Sequence, residues 1–256
     1  MQDLPLHPGS PVGTSGARGR RVELTRRLER LQGFRREQPS AVQTAWDRRM
    51  IEAVYETLRL TGHPCELAEI ERSAGNLEGG GGGDPEIRAQ FHALRGILEH
   101  ASAHKPLDLR LIVDTHRRSS PELPAGFRQV EVPPQFKVAR RSPPEQIGER
   151  LQNLLGWLYG ESGGDMGPAE AAALFFARFL EIAPFERRNF RTAHLLVNAF
   201  PLAAGFPPIC LERDAAEEVR REVNQAMEFD TAALVARFEM AIDASMSECE
   251  RLLGLV

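Results

Sequence analysis

Apolar residues recur at helical spacing along most of the chain. Leu24, Leu28 and Leu31 lie three or four apart among arginines and glutamates between Arg20 and Glu37, which predicts a solvated amphipathic helix. Val42, Trp46, Met50, Val54 and Leu58 predict a second helix, with Ser40 as its cap, Gln43 at the capping-box position, and Gly62-His63-Pro64 ending it. A short helix from Glu66 to about Arg72 then meets the glycine tract Gly79 to Gly83, which no regular element can contain. Asp84-Pro85 restarts a helix in the cap-then-proline arrangement, with Ile87, Phe91, Leu94 and Leu98 on one side. Another follows Pro106, with Leu109, Ile112 and Val113 facing inward. Ser142-Pro143-Pro144-Glu145 reads as a capping box opening a helix to Tyr159, whose core stripe is Leu151, Leu154, Leu155 and Leu158. Pro168 to Ile182 is strongly apolar and predicts a central helix; Arg191 to Ala204 predicts a second buried one. Two more, about Asp214 to Glu228 and Asp230 to Leu253, complete a mainly α chain. The exception is an alternating pair of runs, Phe127 to Val132 and Phe136 to Val138 around Pro133-Pro134, which predicts a small β-hairpin.

Composition narrows the class without naming a function. The 256 residues are 42% hydrophobic and 27% charged, ordinary for a globular protein, which excludes collagen and disorder throughout. Residues 1–19, rich in Gly, Pro and Ser without an apolar period, read as a flexible leader, and residues 20–256 as one domain. The longest apolar stretch, Leu195 to Phe206, is interrupted by Asn198 and Pro201 and is too short for a membrane span. A net charge of −4 makes no case for nucleic acid. Apart from Lys105 and Lys137 every basic residue is arginine, which fits a GC-rich coding bias as well as a functional demand. Cys65, Cys210 and Cys249 lie far apart, so neither a disulfide framework nor a metal site is indicated. With no signal peptide readable at the N-terminus, a cytoplasmic location is expected.

The turn between the two buried helices carries the specific signal: Ile182-Ala183-Pro184-Phe185-Glu186-Arg187-Arg188-Asn189-Phe190-Arg191-Thr192-Ala193-His194. With its continuation NAFPLAAGFPPICLE it resembles the signature of the Fic (Fic/Doc, Fido) family, H-P-F-x-(D/E)-G-N-G-R-x-x-R followed by a leucine-rich helix and a G-(Y/F)-P-P-I end. Upstream, Asp114-Thr115-His116-Arg117 and Pro124-Ala125-Gly126-Phe127-Arg128 resemble the family's histidine-containing helix end and the G-x-(Y/F)-R segment before its flap. The resemblance covers roughly Ala41 to Leu253, with a core motif region of about 106–211, and makes the glycine tract 79–83 an insertion. It implies a Fic-type helical domain with a small β-hairpin flap.

The same resemblance implies a site in which a helix N-terminus holds nucleotide phosphates. The family base falls at Ala183, so the general-base contribution of roughly 10²–10⁴-fold is absent. The acid that binds Mg2+ falls at Arg187, a cation that repels the metal, with Glu186 beside it. The two glycines fall at Arg188 and Phe190, whose side chains are expected to fill the phosphate space or force other dihedrals. Asn189 and Arg191 match, and with Arg188 they form the expected phosphate-binding set. The second family arginine falls at His194. Thr57 to Gly62 resembles the family's inhibitory segment, with Thr61 at its glutamate position. Val130, Val132, Phe136 and Val138 belong to the flap, where family members pair a target peptide as an added strand. The chain is therefore expected to be a pseudoenzyme that keeps nucleotide, phosphate or peptide binding. ATP is the implied ligand, Mg2+ is not bound in the family manner, and a protein or peptide is the partner, without nucleic acid or membrane. Two alternatives stand beside this: an active adenylyltransferase moving AMP from ATP to a protein hydroxyl with Glu186 or His194 as base, and a pure interaction module.

Overall fold

The computed structural model describes residues 15–76, 83–133, 136, 142–160, 166–211 and 215–255. Its elements are helices α1 (Ser15–Glu37), α2 (Pro39–Leu60), α3 (Leu67–Gly75), α4 (Pro85–Ser102), α5 (Leu109–Ser119), α6 (Ile147–Tyr159), α7 (Pro168–Ile182), α8 (Asn189–Leu196), α9 (Ala199–Ala203), α10 (Ala216–Met227) and α11 (Ala232–Leu252). α7 is the axis of the molecule: α6, α8, α9, α10 and α11 all pack against it, and Phe175, Phe176 and Phe179 are fully enclosed. Its wide apolar face is why it sits in the middle, while Glu170, Arg178 and Glu181 lie on its half-buried side. α4 joins α2, α5 and α9 on the other side of α8, so α8 lies in the core with every residue from Arg191 onward buried. At the periphery α1 is tied to α11 by Arg27, whose Nε donates to Glu250 at 2.9 Å.

Several starts differ from expectation, each for a local reason. α1 begins at Ser15 inside the expected leader, because Ala17, Arg18, Arg20 and Arg21 are good helix formers and a formed helix extends upstream through such residues; Met1 to Thr14 lie outside the described residues. α2 starts at Pro39, not after Ser40: proline's fixed φ suits the first helical position, Gln38 is the cap residue, and the Gln43 amide donates to Asp47. Ser142 does not cap a helix; its hydroxyl accepts from Arg150 at 2.7 Å while Pro143 stays extended (φ −56°, ψ 147°), and a 3-10 turn at Pro144–Gln146 precedes α6. The inward face of α5 is carried by Leu111, Ile112, Thr115 and His116, rotated from the expected Leu109 and Val113. The helix expected over Arg191 to Ala204 is two, α8 and α9, because Pro201 has no N–H for the continuous ladder. The caps at Asp84 and Asp108 form as expected, accepting from Glu86 N and Leu111 N at 2.7 Å each.

The predicted hairpin is not confirmed. Among the described residues there is no β-strand: residues 127–133 are irregular backbone, with Val130 exposed and Val132 half-buried, and Val138 lies outside the described residues. Arg128 N donates to Pro184 O, in the α7–α8 turn, at 2.9 Å. Phe136 is buried and stacks on Phe190, centroids 6.1 Å apart. Among the described residues no helix is long and apolar enough to cross a membrane. All three cysteines are unbridged, and burial pushes the thiols of Cys210 and Cys249 up to about 11, which keeps them protonated and unreactive.

Candidate functional site

The α7–α8 turn is built by two residues with left-handed backbone and two side-chain clamps. Ala183 ends α7 at φ 48° and Arg188 opens α8 at φ 63°, the conformation glycine would adopt without cost. Arg188 thus holds a left-handed backbone despite its Cβ. Asn189 closes the turn on itself: its Oδ1 accepts from Phe185 N at 2.9 Å and its Nδ2 donates to Phe185 O at 2.7 Å. Its amide is thus already engaged within the turn. The Phe185 ring lies flat on His116, centroids 3.7 Å apart and 7° between planes. Phe190, expected to crowd the phosphate space, directs its ring onto Phe136 and Phe176.

The carbonyl end of α7 is held by Arg128, whose side chain is wholly buried. Nε donates to Ala183 O at 2.8 Å, Nη1 to Val130 O at 2.9 Å and Nη2 to Ser142 O at 2.5 Å, so a fixed cation sits where the helix dipole is negative.

Arg191 is likewise enclosed, 1% exposed. Nε and Nη2 donate to Thr61 Oγ1 at 3.0 and 2.8 Å, and Nη1 donates to Glu86 Oε1. Burial lowers its affinity for its proton, an effect that Glu86 opposes. Arg188 Nη1 reaches the same Glu86 oxygen at 3.3 Å, and its Nη2 lies 3.9 Å from Glu122. Glu86 was not among the residues singled out in the sequence. It is the second residue of α4, 105 positions from Arg191, and its only local signal is the Asp84 cap that orients its N–H. Nor do the arginines pair with Glu181 or Glu186: Glu181 is taken by Arg178 at 2.7 Å.

His194 is closed to proton transfer. Nε2 accepts from Leu211 N at 3.1 Å, and Nδ1 is 2.7 Å from Thr57 Oγ1, whose own proton goes to Ala53 O at 2.6 Å. These contacts fit only a neutral ring protonated at Nδ1, and burial drives its pKa down to about 4. The same cause takes His116 to about 4; its Nδ1 lies 3.1 Å from Thr192 Oγ1. The segment from Thr57 to Gly62 thus faces α8 directly, Thr57 on His194 and Thr61 on Arg191, with Gly62 (φ 84°) turning the chain away. Glu186 and Arg187 project outward and, with His116, Leu123 and Phe127, border a space of about 20 Å³. Among the described residues no three His, Cys, Asp or Glu side chains are grouped to hold a metal ion.

Comparison with known proteins places this turn. Residues 106–201 match the family model described as Fic/DOC family. That segment of the chain is similar to Fic/DOC family proteins. Protein adenylyltransferase fic-1 of Caenorhabditis elegans is 32% identical over 114 residues, a match that covers 42% of this chain and 22% of that protein's length. A Fic domain containing signaling protein from Bacteroides thetaiotaomicron shares the fold with a TM-score of 0.76 at 20% identity, covering 92% of this chain and 98% of that one. IbpAFic2, in a crystal structure where it is covalently tethered to Cdc42, aligns with a TM-score of 0.51 at 18% identity, over 81% of this chain and 70% of that one. The α7–α8 turn of this chain therefore sits in a fold shared with Fic-domain proteins.

Proposed function

We propose that this chain is a pseudoenzyme of the Fic fold, a domain that has lost nucleotidyl transfer and keeps an anion site for the phosphates of a nucleotide at the start of α8. The observation that carries the reading is Ala183 at the base position together with His194, both of whose ring nitrogens are already hydrogen-bonded. A hydroxyl brought to this turn would find no such group to take its proton. Glu186, exposed on the turn, is the remaining titratable candidate and the base that an active transferase would have to use. What supports retained anion binding is the convergence of Arg188 and Arg191 at a helix N-terminus whose first N–H groups point the same way. ATP is the ligand to test, since curated relatives are named protein adenylyltransferases. Family-type Mg2+ does not fit the residues present, because the exposed cation of Arg187 stands where the metal-binding acid belongs.

Incubation with α-labelled ATP and cell lysate tests the loss of transfer. No labelled protein is expected; robust labelling that Arg191→Ala abolishes would overturn the reading in favour of an active protein adenylyltransferase. Calorimetric titration with ATP is expected to give saturable heat that is the same with and without Mg2+. No heat up to millimolar ligand would remove the anion site.

A further inference from the structure

Two guanidiniums converge on one carboxylate oxygen, and the carboxylate comes from a helix that contributes nothing else to the turn. Glu86 Oε1 receives Arg191 Nη1 and, at 3.3 Å, Arg188 Nη1. That is the environment a phosphate oxygen takes between two arginines. The other oxygen, Oε2, lies 3.4 Å from His63 Nε2, which is 3.2 Å from Asp84 Oδ2 as well. The two sides of the contact differ in access. The Arg191 side chain is 1% exposed and fixed by Thr61, whereas Glu86 is 28% exposed on the first turn of α4. Of the two, only the carboxylate has water to rotate into, and the buried guanidinium it leaves then needs another anion in its place.

We propose that Glu86 is a built-in competitor for the anion site: its carboxylate occupies the position between Arg188 and Arg191, and a phosphate-bearing ligand binds by displacing it. This rests on the phosphate-binding reading of the turn and adds its regulation. A tethered carboxylate acts at an effective concentration of roughly millimolar or above, so a singly charged free anion competes poorly. A pyrophosphate group brings more charge and several acceptor oxygens, enough to engage both arginines at once. The α2 end then supplies a neutral acceptor, Thr61, where the family resemblance puts a glutamate, while the anionic role has passed to α4.

Titration of inorganic pyrophosphate at fixed ionic strength into the wild type, Glu86→Ala, Glu86→Gln, Glu122→Ala and the double variant Glu86→Ala/Arg191→Ala separates the outcomes. Glu86→Ala is expected to bind about tenfold or more tightly than the wild type, with Glu86→Gln between them, because the amide keeps an acceptor and loses the charge. Glu122→Ala removes an acid of the same sign 3.9 Å from Arg188 and outside the shared contact, and is expected to change affinity by less than about threefold. The double variant should lose the gain. In thermal melts Glu86→Ala should be destabilised without anions and recover more with pyrophosphate than the wild type does. Equal affinity of wild type and Glu86→Ala would overturn the competitor while leaving the turn as a phosphate site; no binding by any variant would overturn both. A gain of the same size in Glu122→Ala, or one that survives loss of Arg191, would also overturn it, since the cause would then be general charge or another site. Should Glu86→Ala fail to fold, Glu86→Gln carries the same comparison.

Discussion

Two buried arginines, one holding the end of α7 and one on the first turn of α8, have opposite kinds of partner. Arg128 is satisfied by backbone carbonyls of Ala183, Val130 and Ser142, which have nowhere to go. Arg191 is satisfied by two side chains, Thr61 and the partly exposed Glu86. The first contact can only be kept or broken, whereas the second can be exchanged. An immovable acceptor set makes a cation a staple, and a movable one makes it a receptor.

Four measurements would break or sharpen that contrast. Arg128→Ala should cost about 3–5 kcal/mol in denaturant unfolding, since it leaves several buried carbonyls unpaired at the end of α7, and no added anion should restore it. Rescue by phosphate would place Arg128 among the exchangeable cations. Next comes acid. Below about pH 6.5 the unfolded chain protonates His116 and His194, while the folded chain resists until about pH 4. Stability from each is therefore full above 6.5 and declines as pH falls toward 4, by up to about 3 kcal/mol apiece. These rings hold the base of the turn on both sides, so melts that stay level from pH 7 to 4.5 would show that neither is as enclosed as described. Arg191→Ala should cost less than Arg128→Ala, about 2 kcal/mol, because the carboxylate it abandons can hydrate. It should also abolish pyrophosphate binding, read by calorimetry. The smallest change is Arg188→Gly: relief of the positive φ and loss of a half-exposed ion pair are each about 1 kcal/mol and opposed, so the melting temperature should barely move while anion affinity falls.

Much of the frame was readable from the chain because the signals were local. Asp84-Pro85 and Asp108 cap the helices they precede, and the apolarity of Pro168 to Ile182 places α7 at the centre. Equally local signals failed where a distant partner outbid them. The hydroxyl of Ser142 is held by Arg150 and not by a helix start, and the Arg128 N–H, in a run patterned for a strand, donates to the turn after α7. In the site, the absence of a titratable side chain at Ala183 was legible from residue identity alone. The neutral, locked state of His194 was not, since its partner Thr57 lies 137 residues away.

The sequence by itself determined the helices, the central place of α7 and which groups the turn lacks, because propensity, periodicity and residue identity are properties of neighbours along the chain. Only the tertiary structure decided what the remaining groups do. Folding brings α4 against α8 and places the Glu86 carboxylate on Arg188 and Arg191, and charges meet through space at a few ångströms, however far apart they stand in the chain.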